Sequence, residues 1–144
     1  GIILDLSHEL DFVNFVFGKI KVKYSSFGKK SKITHNTEDF LKAYALVKKI
    51  NISFDLKYYS RNEVRIILID GEKFSIFLDL NNNIFKLKNK NKIVKIKNKY
   101  SKNFTFEKMH KSIIRNNKSK SLCTYNEGLQ VLKNINEIKT KKNK

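Results

Sequence analysis

Apolar residues at Ile3, Leu6, Leu10, Val13 and Phe17 recur every three or four positions, a spacing that predicts an amphipathic helix over Ile3–Phe17. Gly18 is placed to end it. The period then falls to two, with Ile20, Val22 and Tyr24 on one side and Lys19, Lys21 and Lys23 on the other; this predicts a strand that gives way to a polar loop, SSFGKKSKITHNTED. Three further runs follow, FLKAYALVKK, INISFDLKYYS and EVRIILID, the last two alternating and rich in β-branched residues. DGEKF reads as a hairpin turn into FSIFLDL, and NNN as a turn into IFKLK. Such short connections require antiparallel pairing, because a parallel crossover needs a dozen or more residues.

The helical period returns in NFTFEKMHKSIIRNN, with Phe106, Met109 and Ile113, and in TYNEGLQVLKNINEIKTKK, with Leu129, Leu132, Ile135 and Ile138. Thr124 followed by Glu127 has the spacing of a capping box for the last helix. The pattern predicts a two-layer α+β domain: one large antiparallel sheet of about six strands with the helices packed on one face.

Composition sharpens this only in part. The 144 residues are 40% hydrophobic, enough for one folded domain with a core. No apolar run is long enough to span a membrane, and the apolar start lacks a basic leader and a small-residue cleavage site, so a cytoplasmic location is expected. Cys123 is the sole cysteine and can make no internal disulfide, in keeping with a reducing compartment. A semi-buried thiol without a role is its simplest reading.

The formal charge of +18 raises nucleic acid as a partner, since clustered cations gain affinity by releasing phosphate counterions. The excess is nearly all lysine, spread along the chain, with only Arg61, Arg65 and Arg115 as arginines, and Asn and Ile are abundant. That profile fits codon bias in an AT-rich genome. Specific DNA readers lean on arginine's bidentate fork. The densest stretch, Lys86–Lys99, alternates around Ile93, Val94 and Ile96, which favours an edge strand protected by lysines over a phosphate-binding strip. Nucleic acid is therefore a rival reading, not the leading one; a non-catalytic structural or oligomerisation domain is the other.

The candidate chemistry lies in the first helix. HELDF fails the zinc signature H-E-x-x-H at Phe12, and His35 and His110 are placed in a loop and a distant helix. The five glycines are far apart, so neither a dinucleotide fingerprint nor a P-loop is present. Ser7 points to a different side of the helix from His8, so no nucleophile–base pair forms there. Asp5, His8 and Glu9 remain, sharing one side of a helix otherwise made of core residues, with Asp11 one turn beyond His8. A carboxylate beside an imidazole fixes its tautomer and prepares it to move a proton near neutral pH. A helix-surface ion pair accounts for the same residues equally well.

GIILDLSHELDFVNFVFGKIKVKYS resembles the start of the C-terminal domain of the glucose-fructose oxidoreductase, inositol dehydrogenase and rhizopine catabolism (Gfo/Idh/MocA) family. There a glycine run leads into D-L-x-H-E-x-D and a helix ending in W-x-F-G. NTEDF is similar to the family's I-D-T-E-D, LKYYSR to its L-D-Y-x-Q-R strand end, IDGEKFSIFLDL to its I-x-G-E-x-G-T-I-x-W-D hairpin, and SLCTYNEGLQVLKNINEIK to its closing helix. The resemblance implies an NAD(P)-dependent oxidoreductase that moves hydride between the nicotinamide and a sugar, sugar-nucleotide or cyclitol carbon. Under it residues 1–144 are the C-terminal substrate and oligomerisation domain, and the chain is a fragment, inactive alone. NAD or NADP would be bound mainly by an N-terminal Rossmann domain absent from this sequence.

By the same resemblance His8 is the acid/base and Asp5 its orienter, Tyr59 and Arg61 contact substrate, and the protein forms a homo-oligomer through strands between Thr37 and Leu80. Two departures stand out. The better-known pattern places the His four residues after the Asp, and here the interval is three, so Glu9 is the alternative to His8. Lys57 stands where Asp is common and Ser60 where Gln is common.

Overall fold

The structure is a computed structural model, and it describes residues 1–33, 36–115 and 122–142, apart from the side chain of Lys102. His35, the Asn116–Ser121 stretch and the last two residues lie outside it. The chain forms two compact units, Gly1–Tyr59 with Cys123–Lys144, and Ser60–Leu122.

In the first unit, helices α1 (Ile2–Asp5), α2 (Ser7–Phe17) and α4 (Tyr125–Thr140) accompany strands β1 (Lys21–Gly28), β2 (Phe40–Val47) and β3 (Ile50–Lys57), ordered β1-β2-β3 and antiparallel throughout. β2 is central, and Leu41, Ala43, Ala45 and Val47 along one face are all buried. Register sets Phe54 beside Ala43, and Val22 beside Ala45. Ile2, Ile3, Leu10 and Val13 from the first two helices join that face, as do Val131, Ile135 and Ile138 from α4. The small Ala43 and Ala45 leave room for the larger side chains to interdigitate.

The expected helix over Ile3–Phe17 is two helices, because the chain bends at Leu6 (φ −98°, ψ 23°). Gly18 ends α2 at φ 104°, a conformation that side-chain-bearing residues rarely adopt, and its N–H donates to the Asn14 carbonyl. β1 extends to Gly28, through residues the sequence pattern assigned to a loop. An irregularity between Val22 and Tyr24 inserts an extra residue. It reverses the alternation, leaving Tyr24 exposed and Ser25 buried.

Side-chain hydrogen bonds dock α4 along β1. Val22 N–H donates to Glu137 Oε2 (3.0 Å), and Ser25 Oγ donates to the Ile138 carbonyl (2.6 Å). Buried Asn134 donates to the Ile20 carbonyl (3.1 Å) and accepts from Asn14 (2.8 Å). The capping box of α4 is present, with Thr124 and Glu127 each satisfying the other's backbone N–H.

The second unit holds β4 (Ile66–Gly71), β5 (Phe74–Asp79), β6 (Ile84–Asn89), β7 (Ile93–Lys97) and α3 (Lys102–Ile114). The four strands pair as an antiparallel meander, β4-β5-β6-β7, with the expected turns at Glu72–Lys73 and in the Asn81–Asn83 run. The described strands thus number seven, in two sheets of three and four instead of the single sheet of about six expected, because no ladder joins β3 to β4. The α+β class and antiparallel pairing are as the sequence predicts. β7 is an edge strand, and Lys86 lies directly opposite Lys95. No helix among the described residues is long and apolar enough to cross a membrane.

Candidate active site

Buried residues on either side hold the bend at Leu6 in place: Ile2 and Ile3 before it, Leu10 and Val13 after it. The Ile2 N–H donates to the Glu38 carbonyl (3.0 Å), tying α1 to the segment that leads into β2. With one side of both short helices committed to the core, Asp5 and His8 face solvent and Glu9 is half-buried. His8 Nε2 lies 3.3 Å from Glu9 Oε1, the imidazole about half exposed (49%) and the carboxylate far less so (14%).

Asp5 finds a partner other than the one its spacing predicts. Its Oδ2 accepts from Tyr58 Oη at 2.5 Å, just past the end of β3. The pairing of Asp5 with His8 presupposes one continuous helix, whereas Leu6 separates Asp5, at the end of α1, from His8, in the first turn of α2. Burial, then the hydrogen bond to Asp5, then the charges of Asp5 and Glu38 push the Tyr58 phenol well above its usual value. It therefore stays protonated and donates to the carboxylate.

The two expected substrate contacts fall in different units. Tyr59 is half-buried at the end of the first unit, and Arg61 is exposed at the start of the second. Lys57 pairs with Asp55 (2.9 Å) on the same strand. Beside the cluster, buried Asp39 accepts from Lys30 N–H (2.8 Å), Ser31 N–H (2.7 Å) and Ser31 Oγ (2.5 Å). Burial pushes its carboxyl up, but these donors outweigh burial and hold it below the ordinary value.

Sequence reasoning passed over Tyr58 and Asp39. The period of β3 carries a signal for Tyr58, which continues the inward series Ile52, Phe54, Leu56, whereas Tyr59 falls on the alternate series. Asp39 offers no such pattern, since a buried carboxylate is justified only by the loop that folds around it.

Cys123 is exposed, not semi-buried as expected, because it precedes the cap of α4; its Sγ sits 3.9 Å from Asp11 Oδ1, and partial desolvation with the charges of Asp11 and Glu127 raises the thiol, which makes it a poor nucleophile. A groove of about 510 Å³ between α2 and α4 is lined by residues including Asp11, Phe15, Lys19, Gln130 and Lys133, and contains none of Asp5, His8 or Tyr58. No group of three or more potential metal ligands occurs among the described residues. Gly18 ends a helix and Gly128 lies within one, so neither belongs to a phosphate-cradling loop.

No protein-family model and no curated protein matches the sequence. Solved structures do match. UDP-N-acetylglucosamine 3-dehydrogenase from Acidithiobacillus ferrooxidans superposes at a TM-score of 0.75 and 15% identity, over 96% of this chain and 46% of that one. A 3-ketoreductase from Actinomadura kijaniata, solved with TDP-benzene and NADP, gives 0.76 at 6% identity over 99% and 47%. A dehydrogenase from Clostridium difficile gives 0.73 at 11% identity over 94% and 46%. The fold is that of Gfo/Idh/MocA-type oxidoreductases. The chain spans about half the length of the solved structures it matches.

Proposed function

We propose that this chain is the substrate-side domain of an NAD(P)-dependent oxidoreductase acting on a sugar, most readily a sugar nucleotide, and that the cofactor is held by a nucleotide-binding domain outside it. The observation that supports this most is the fold match over nearly the whole chain to dehydrogenases and a ketoreductase that are about twice its length. Exposed Asp5 and His8, with half-buried Glu9 beside the imidazole, add groups able to move a proton, which that chemistry requires alongside hydride transfer.

The nicotinamide would supply or take the hydride; this chain's share is the proton on the substrate hydroxyl. His8, half exposed and backed by the Glu9 carboxylate, is the acid/base. Glu9 is the alternative, more deeply placed. In the full-length protein, nicotinamide absorbance is followed with UDP-N-acetylglucosamine and related sugar nucleotides, using NAD and NADP. His8→Ala should lower kcat by about 10² to 10⁴ without loss of fold. Collapse of turnover in Glu9→Ala, with His8→Ala near normal, would transfer the role to Glu9.

The full-length protein is further proposed to be a cytoplasmic homo-oligomer, joined through strands between Thr37 and Leu80. Light scattering that returned a monomer mass would overturn this.

A further inference from the structure

Tyr58 has no assigned part in the chemistry above, yet the two ends of its contact with Asp5 are anchored to adjacent residues, Glu38 and Asp39. The Glu38 carbonyl accepts from Ile2 N–H and fixes α1, whose last residue is Asp5. The next carbonyl, that of Asp39, accepts from Tyr58 N–H (3.0 Å) and fixes the backbone that carries the phenol. Asp39 is in turn held by the Lys30–Ser31 loop through its carboxylate. The Tyr58 ring packs against the core, so the phenol O–H is delivered from a rigid mount to a carboxylate that stands in solvent. An exposed aspartate without such a partner samples several rotamers. A charge-assisted hydrogen bond of 2.5 Å selects one of them.

We propose that Tyr58 is a positioning residue of the candidate active site, pinning Asp5 through Oδ2 so that its other oxygen is held in one direction for substrate or the acid/base. This rests on the oxidoreductase reading for its catalytic purpose, though not for the contact itself. Positioning within a fraction of an ångström is what separates a productive site from one that only contains the right residues.

Two measurements test it. In the 144-residue chain, labelled at the tyrosine ζ-carbon, Tyr58 (identified by its disappearance in Tyr58→Phe) should keep its shift from pH 8 to 11. In Asp5→Ala its titration should fall toward the ordinary phenol value of about 10. A Tyr58 that titrates between pH 8 and 11 in the wild type overturns the pairing.

In the full-length protein, with the same sugar nucleotides, Tyr58→Phe should reduce kcat by about 10- to 100-fold, the worth of one hydrogen bond to a charged group, with KM and melting temperature little changed. It should cause no further loss in an Asp5→Asn background. A lowered melting temperature with normal kcat overturns positioning in favour of a purely structural contact. A wild type that turns over none of the probes overturns the oxidoreductase reading and with it the catalytic purpose, leaving the tyrosine titration to decide the contact.

Discussion

Asn134→Asp probes the docking of α4 with almost no change of shape. The side chain is fully buried, its amide nitrogen donates to the Ile20 carbonyl and its oxygen accepts from Asn14. A carboxylate in its place keeps the Asn14 contact and turns an acceptor toward another acceptor. Left ionised, it is an uncompensated buried charge costing several kcal/mol; Glu137, on the same face one turn later and bonded to Val22 N–H, adds like charge.

The alternative is to bind a proton, which restores a donor to Ile20. At pH 7 this costs about 1.4 kcal/mol per unit above the ordinary aspartate value of about 3.9, or roughly 4 kcal/mol. The cheaper route sets the ceiling, so the variant should lose about 3 to 4 kcal/mol at pH 7, against a typical total of about 5 to 15. The folded-state value of the new carboxyl lies above the unfolded one, so the penalty grows as pH rises from about 4. Urea unfolding of wild type and variant at pH 4.5 and pH 7 measures it. A loss that is equal at the two pH values, or below about 1 kcal/mol at pH 7, would refute the buried bridge between α4 and Ile20.

Leu10→Ala should cost about 2 to 5 kcal/mol in urea unfolding, since the side chain is 1% exposed within the core. Asp39, with its carboxyl held below the ordinary range, should support the fold above about pH 3.9 and lose that support as pH falls through the lower folded value. Melting curves from pH 7 to 2.5 should show wild type falling steeply over that range and Asp39→Asn, already less stable at pH 7, falling less. Duplex and single-stranded oligonucleotides at about 150 mM salt, where screening leaves only compact clusters effective, should not bind with sub-micromolar affinity; such binding, falling steeply with salt, would promote the rival reading.

The parts of the fold visible in the sequence are those whose cause is periodic. β3 needs alternate positions for the core and shows them as Ile52, Phe54 and Leu56; α4 shows its cap as Thr124 and Glu127. What escaped has a different cause. The extra residue after Val22 is specified by pairing with β2, a long-range event that leaves no mark in the alternation of β1 itself. Ser25 looked like loop because it is polar, and it is buried because Ile138 and Lys141 at the end of α4 supply its partners more than a hundred residues later.

The candidate site was half visible for a related reason. Polar residues amid a core-forming helix announced Asp5, His8 and Glu9, but their mutual geometry was inferred from a helix assumed to be continuous. The bend at Leu6 is favoured by packing on both sides: Ile2 and Ile3 reach the core before it, Leu10 and Val13 after it. Once the helix bends, Asp5 belongs to the frame of α1 and His8 to that of α2. Asp5 is then set by what holds α1, namely the Glu38 carbonyl at Ile2 and the Tyr58 phenol at its own carboxylate. Chemistry read from spacing on a helix therefore carries across a stretch only as far as the helix does. Here it stops at the bend, and Asp5 is set by two contacts, one at Ile2 and one at its own carboxylate, that helical periodicity does not encode.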